Sequence, residues 1–145
     1  AALQVRGDRF YAMNCDDLLF EDPRNLARRT QRGATIAVTK PKLPWGLVKV
    51  ERGRVVEFIE KPVLDNALKV LSDFYVSIGH YFWDKDVAIS VLPEKGDVET
   101  TALPALAANG LLWAYVVKGE WVTINTYKDL LLAREVIQKT YRDIL

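Results

Sequence analysis

Residues 9–17 read Arg9-Phe10-Tyr11-Ala12-Met13-Asn14-Cys15-Asp16-Asp17, an apolar run that stops on a polar step and two carboxylates. The run predicts a buried strand over Phe10 to Asn14. In open α/β sheets ligands bind just beyond the carboxyl ends of strands. A carboxylate placed there can hold Mg²⁺ and, through it, the phosphates of a nucleotide. Further on, Leu47 to Glu51 and Val55 to Ile59 flank Arg52-Gly53-Arg54, a hairpin turn signal, and the hairpin runs out into Glu60-Lys61-Pro62.

Strand-like and helix-like segments alternate along the rest of the chain, which predicts an α/β layer fold. Asp22-Pro23 predicts a helix start, because Asp accepts from unpaired amides and Pro tolerates the first helical position. That helix is expected to reach about Gln31 and stop at Gly33. Thr35 to Thr39 reads as a short strand, and Pro41 and Pro44 mark a loop. Phe74 to Trp83 reads as a long strand rich in β-prone residues. Helices are expected over Asp84 to Leu92 and over Val98 to Asn109, the second closed by Gly110. Leu111 to Lys118 and Trp121 to Ile124 read as strands. Thr126-Tyr127-Lys128-Asp129 resembles a capping box and predicts the start of a last helix, with Leu130, Ala133, Ile137 and Tyr141 as its apolar positions.

Composition narrows the classes. With 145 residues, half of them apolar, the chain is expected to be one domain, burying roughly 70% of its unfolded surface. The 20 basic and 19 acidic residues nearly cancel, which argues against a nucleic-acid or membrane-surface binder. One cysteine allows no internal disulfide and suits a reducing, cytoplasmic setting. No apolar run approaches the ~20 residues that span a bilayer. Ala1-Ala2-Leu3-Gln4-Val5 does not read as a secretory leader, and the missing initiator Met points to processing or a truncated start.

Taken in order, the segments resemble the sugar-1-phosphate nucleotidyltransferases, the pyrophosphorylases that make nucleotide sugars. Asn14-Cys15-Asp16 resembles the family's Asn-Gly-Asp step, whose Asp binds the metal. Pro44-Trp45-Gly46-Leu47-Val48 is similar to a Tyr-Gly-Val-Val segment whose glycine lets the backbone approach the sugar. Val55-Val56-Glu57-Phe58-Ile59-Glu60-Lys61-Pro62 is similar to the hairpin whose Glu binds sugar hydroxyls and whose Lys meets the sugar phosphate. Tyr75-Val76-Ser77-Ile78-Gly79-His80-Tyr81-Phe82 resembles the Asn-x-Gly-x-Tyr-x-Phe strand. Gly96-Asp97-Val98-Glu99 and Leu103-Pro104-Ala105-Leu106 fit the helix that follows. Trp121-Val122-Thr123-Ile124-Asn125-Thr126 sits where the family has Trp-x-Asp-Ile-Gly-Thr.

The resemblance implies a Rossmann-like mixed sheet flanked by helices, of the nucleotide-diphospho-sugar transferase type and incomplete on its N-terminal side. It implies one partial domain over residues 1–145. The reaction implied is sugar 1-phosphate plus NTP giving NDP-sugar and pyrophosphate. By the same resemblance Asp16 is catalytic and binds Mg²⁺ with Asn125, and Gly46, Glu60, Lys61, Ser77 and Gly79 bind the sugar.

The chain also departs from the family. The glycine-rich nucleotide loop has no counterpart in it, Cys15 replaces a glycine, Ser77 an Asn, and Thr123 the second metal-binding Asp. Asn125 matches the alternative second ligand of one branch, the N-acetylglucosamine-1-phosphate uridyltransferases. Three explanations stay open: a segment of a complete enzyme, one subunit of a split enzyme, or a non-catalytic relative that binds a sugar phosphate or a partner subunit. The missing glycine-rich loop implies that the 145 residues alone are inactive. The resemblance also places further strands beside Phe10 to Asn14, and their absence implies association with a missing N-terminal segment, with a companion subunit or with further copies.

Other readings carry less. Cys15 and His80 lack an oriented third group for nucleophilic chemistry, so a buried thiol and a satisfied histidine are expected. Arg24, Arg28 and Arg32, four apart, predict a solvated basic helical face. The four tryptophans are expected in the core or the wall of the sugar site.

Overall fold

The computed structural model describes residues 2–41, 47–52, 54–59 and 74–142, with backbone alone at 47–51 and 55–59. Two compact units emerge, Ala1–Val38 with Ser77–Leu145, and Thr39–Val76.

In the larger unit the apolar run from residue 9 forms β1 (Arg9–Met13). It pairs antiparallel with β6 (Val76–Asp84), Arg9 opposite Asp84 and Met13 opposite His80. The sheet order is β1-β6-β3-β7, with β3 (Ala34–Thr39) parallel to β7 (Leu112–Val116). Tyr81, Trp83 and Ala34 pack with Val87 and Ala88 of α2 (Lys85–Val91) and with Ala102, Leu103 and Leu106 of α3 (Ala102–Ala108). Burying a side chain of the size of Leu106 stabilises by about 1.5–3 kcal/mol.

A second ribbon joins β2 (Asp17–Phe20) to β8 (Glu120–Thr123), antiparallel, with Asp17 opposite Thr123. Alternation splits its residues between two faces. Leu18, Phe20, Val122 and Ile124 pack with Ala133 and Val136 of α4 (Tyr127–Thr140). Asp17 and Thr123 share the opposite face. In the smaller unit, β4 (Leu47–Glu51) and β5 (Arg54–Ile59) form the expected hairpin, Leu47 opposite Ile59.

Several expectations need correction. α1 spans only Arg24–Arg29. Asp22 accepts from the Arg24 amide, and the Thr30 hydroxyl turns back to the Leu26 carbonyl and to Thr35, which ends the helix. Arg32 therefore leaves the proposed basic face. Arg24 pairs with Asp22, and Arg28 donates to Asn25. α3 starts at Ala102 rather than Val98. The Thr100 and Thr101 hydroxyls bond the Asp97 carbonyl, and such local bonds compete with the helix. In α4 the expected capping box between Thr126 and Asp129 is present. Its buried positions are Ala133 and Val136, whereas Leu130 and Tyr141 are exposed. β2 had no counterpart in the sequence reading.

Glu21 ties these pieces together. One carboxylate oxygen accepts from Asn25 and the Tyr115 hydroxyl, the other from the Lys118 and Gly119 amides at 2.7 and 3.0 Å. Burial alone would raise its pKa, but the bonds from Tyr115, Gly119, Lys118 and Asn25 hold it below the ordinary value. Glu21→Ala is expected to cost about 2 kcal/mol in urea unfolding at pH 7, because it strips a charged acceptor from several donors. The stabilisation is full above Glu21's unfolded pKa and fades as pH falls through the lower folded one, so the gap between variant and parent should close in acid. A gap that persists at acidic pH would show that the carboxylate is not its source.

Candidate functional site

β1 does not stop dead at Met13. The Asn14 amide donates to the Gly79 carbonyl at 2.8 Å, extending the β1–β6 pairing by one bond. The chain then turns through Cys15 and Asp16 and enters β2 at Asp17. The two adjacent carboxylates therefore separate: Asp16 is exposed on the turn, and Asp17 is buried with 6% of its surface accessible.

Asp17 is held on both oxygens. Oδ1 accepts from the Trp121 indole N–H at 2.9 Å and Oδ2 from the Asn14 side-chain amide at 3.2 Å. Trp121 lies diagonally across the β2–β8 ladder on the same face, within reach of a long side chain. The carboxylate sits directly on the backbone of Gly79, where a Cβ would fall 2.5 Å from the Asn14 amide nitrogen and closer still to Asp17. Gly79 has φ +71, a conformation that disfavours other residues. Its lack of a side chain serves Asn14 and Asp17. Its expected contact with a sugar is a separate claim.

The other wall is the end of β8. The Ile124 amide donates to the Asp16 carbonyl at 2.8 Å, which sets the Asp16 turn one residue from Asn125. Asn125 donates its side-chain amide to Thr123 Oγ1 at 3.1 Å, and its backbone N–H to Asp129 at 3.2 Å. The structure thus brings Asp16 and Asn125 to one edge through the backbone, with no bond between their side chains. Ser77 is exposed at the start of β6. Gly46, Glu60 and Lys61 lie outside the described residues, as does Trp45.

His80 is 1% exposed. Tyr11, diagonally placed on the same face, hydrogen-bonds Nδ1, and Nε2 finds no partner among the described residues. The histidine expected to be satisfied is half satisfied. The thiol expected to be buried is exposed, since Cys15 rides on the turn. Trp83 is buried in the core, and Trp113 donates to the Arg32 carbonyl.

Burial pushes the His80 imidazole below its ordinary pKa, and the charge of Asp17 opposes that without reversing it. The unfolded chain therefore binds a proton that the folded chain refuses. Stability is full above about pH 6.5 and falls as pH drops from there toward the lower folded pKa. His80 is the chain's single histidine. Melting temperatures between pH 7.5 and 5.5 should show this loss, and His80→Gln should flatten it. An equal slope in both proteins would refute the assignment.

Among the described residues no three His, Cys, Asp or Glu side chains converge on a metal position. The exposed Asp16 and Asn125, whose chain segments a backbone bond sets side by side, offer a carboxylate and an amide oxygen, both hard donors. That set fits Mg²⁺ as it binds when substrate phosphates complete its shell, and does not fit a closed protein cage.

The family described as Nucleotidyl transferase matches residues 2–140. The chain belongs to this family. Among its relatives, the mannose-1-phosphate guanylyltransferase catalytic subunit beta of Dictyostelium discoideum is 28% identical over 132 residues, covering 86% of this chain and 35% of that protein. The mannose-1-phosphate guanyltransferase beta-A of Xenopus laevis is 29% identical over 136 residues, covering 89% and 36%. The chain thus spans about a third of the length of these curated relatives. The crystal structure of HddC from Yersinia pseudotuberculosis superposes with a TM-score of 0.62 at 17% identity, covering 92% of this chain and 57% of that one. The nucleotidyltransferase fold follows, a mixed sheet flanked by helices. Among the described residues no helix is long and apolar enough to cross a membrane.

Sequence reasoning missed Asp17, Asn14 and Glu21 as polar nodes. Leu18-Leu19-Phe20 was the available signal: an apolar run after paired carboxylates marks a strand whose first residue turns inward.

Proposed function

We propose that this chain carries part of the active site of a sugar-1-phosphate nucleotidyltransferase, with mannose 1-phosphate and GTP the first substrates to test. The support is the family match over residues 2–140 together with the Ile124–Asp16 backbone bond, which lays the Asp16 turn beside the segment that carries Asn125. In the reaction a sugar-phosphate oxygen bonds the α-phosphorus of the NTP. The bond from that phosphorus to the bridging oxygen breaks, and pyrophosphate leaves. Asp16, helped by Asn125, would hold Mg²⁺, which when bound neutralises phosphate charge. Gly46, Glu60 and Lys61, and likewise Ser77 and Gly79, keep the sugar-binding roles that the resemblance implies: Gly46 would admit the backbone, Glu60 would accept hydroxyls, and Lys61 would supply a point charge for phosphate. The amides that cradle the triphosphate would come from a companion segment or subunit, so the isolated 145 residues should not turn over.

A second reading is a non-catalytic relative, favoured by Thr123 at a metal-ligand position. Its hydroxyl accepts from Asn125, and it is a poor donor to Mg²⁺.

The test is pyrophosphate release by the protein that carries this chain together with a glycine-rich segment. Asp16→Ala is expected to lower kcat at least about 100-fold, equivalent to about 2.7 kcal/mol of transition-state stabilisation. Parent turnover that survives Asp16→Ala would remove Asp16 from the mechanism. No turnover by the parent with any sugar 1-phosphate would favour the non-catalytic reading.

A further inference from the structure

A carboxylate 6% exposed is costly unless its oxygens are used, and no Lys or Arg pairs with Asp17 among the described residues. An apolar residue could fill the position without that cost. What the carboxylate supplies is geometric. Its two partners are both donors on different parts of the fold: Asn14 extends the β1–β6 pairing, and Trp121 belongs to β8. A carboxylate accepts from both at once. Between these anchors lie Cys15 and Asp16, and the Asp16 carbonyl is bonded to Ile124, next to Asn125.

We propose that Asp17 is a positioning residue, which clamps the Asn14–Asp17 turn to β8 through Trp121 and so sets the spacing of Asp16 and Asn125. Asp17 does not bind metal itself, because both of its oxygens are engaged and it is buried. The adjacent carboxylates divide the work: Asp16 faces the phosphates and Asp17 holds Asp16 in place. This rests on the reading of Asp16 and Asn125 as Mg²⁺ ligands, and it adds a residue which that reading leaves out.

The test uses the isotope-labelled chain, with Asp17→Ala, Asp17→Asn and Trp121→Phe beside the parent. Mn²⁺ is titrated in with pyrophosphate present to complete its shell, and is read as paramagnetic broadening of the Asp16 and Asn125 amides; amide hydrogen exchange is followed without metal. Asp17→Ala should weaken Mn²⁺ about tenfold, as loss of an outer-shell support does. The Ile124 amide should exchange faster while the β1–β6 amides keep their protection. Trp121→Phe should show the same changes to a lesser degree. Asp17→Asn should recover most of both, because its oxygen can serve Trp121 while the Asn14 amide turns to accept from its nitrogen. Asp17→Asn as weak as Asp17→Ala would mean that charge, not position, matters, and overturns the proposal. Parent-like Mn²⁺ affinity or Ile124 exchange in Asp17→Ala overturns it equally. If the parent shows no broadening by Mn²⁺, the metal reading of Asp16 and Asn125 fails, and the Ile124 exchange contrast alone decides whether Asp17 holds the turn.

Discussion

Gly33→Ala is expected to cost the fold at least about 3 kcal/mol and to lower the melting temperature by about 10 °C. Gly33 has φ +109, a backbone region nearly closed to other residues. A Cβ there would lie 2.9 Å from the Leu111 carbonyl carbon and nearer still to its oxygen. Neither side can yield cheaply. The Leu111 carbonyl accepts the Ala34 amide at 2.9 Å, where β3 meets β7. Gly33 itself donates to Asp84 Oδ2 at 2.8 Å and accepts from the Asp84 amide at 2.9 Å. Asp84 in turn pairs with Arg9 at the start of β1. Moving the backbone to admit a methyl group therefore loosens β7, β6 and β1 together. A thermal unfolding scan checks this, and a melting temperature within a degree or two of the parent would refute it.

Gly79→Ala should separate site from fold. The obstacles at Gly79 are the ends of two side chains, Asp17 and Asn14, which can rotate away where a carbonyl in a ladder cannot. The stability loss is therefore expected to be smaller, about 2 kcal/mol, composed of left-handed backbone strain and two hydrogen bonds. The damage to the site should be larger in proportion. Once displaced, Asp17 releases the Trp121 indole, whose N–H resonance should move toward that of a solvent-exposed tryptophan. The effects of Gly79→Ala and Asp17→Ala should not add, since both break one clamp. Additive losses in the double variant, with an unmoved indole resonance, would show that Gly79 serves something else.

The amino-acid sequence by itself determined the elements whose signals are local. The β1 run, the hairpin around residues 52–54, the long β6 strand and the α4 cap each rest on residues close together in the chain. Their periodicity and turn chemistry suffice, and element ends moved by a few residues, at α1 and α3 where Asp and Thr side chains bonded the nearby backbone. The same local order of motifs carried the resemblance to the nucleotidyltransferases, which the family match supports. β2 was not legible, because four residues after a turn become a strand only when β8 supplies the pairing. The burial of Asp17 beside an exposed Asp16 was not legible either, since neighbours of identical chemistry look alike in a sequence. Only the tertiary structure distinguished them. Asp17 is buried because a tryptophan 104 residues away donates to it, and Asp16 is exposed because the turn between two separately paired strands leaves it no other place.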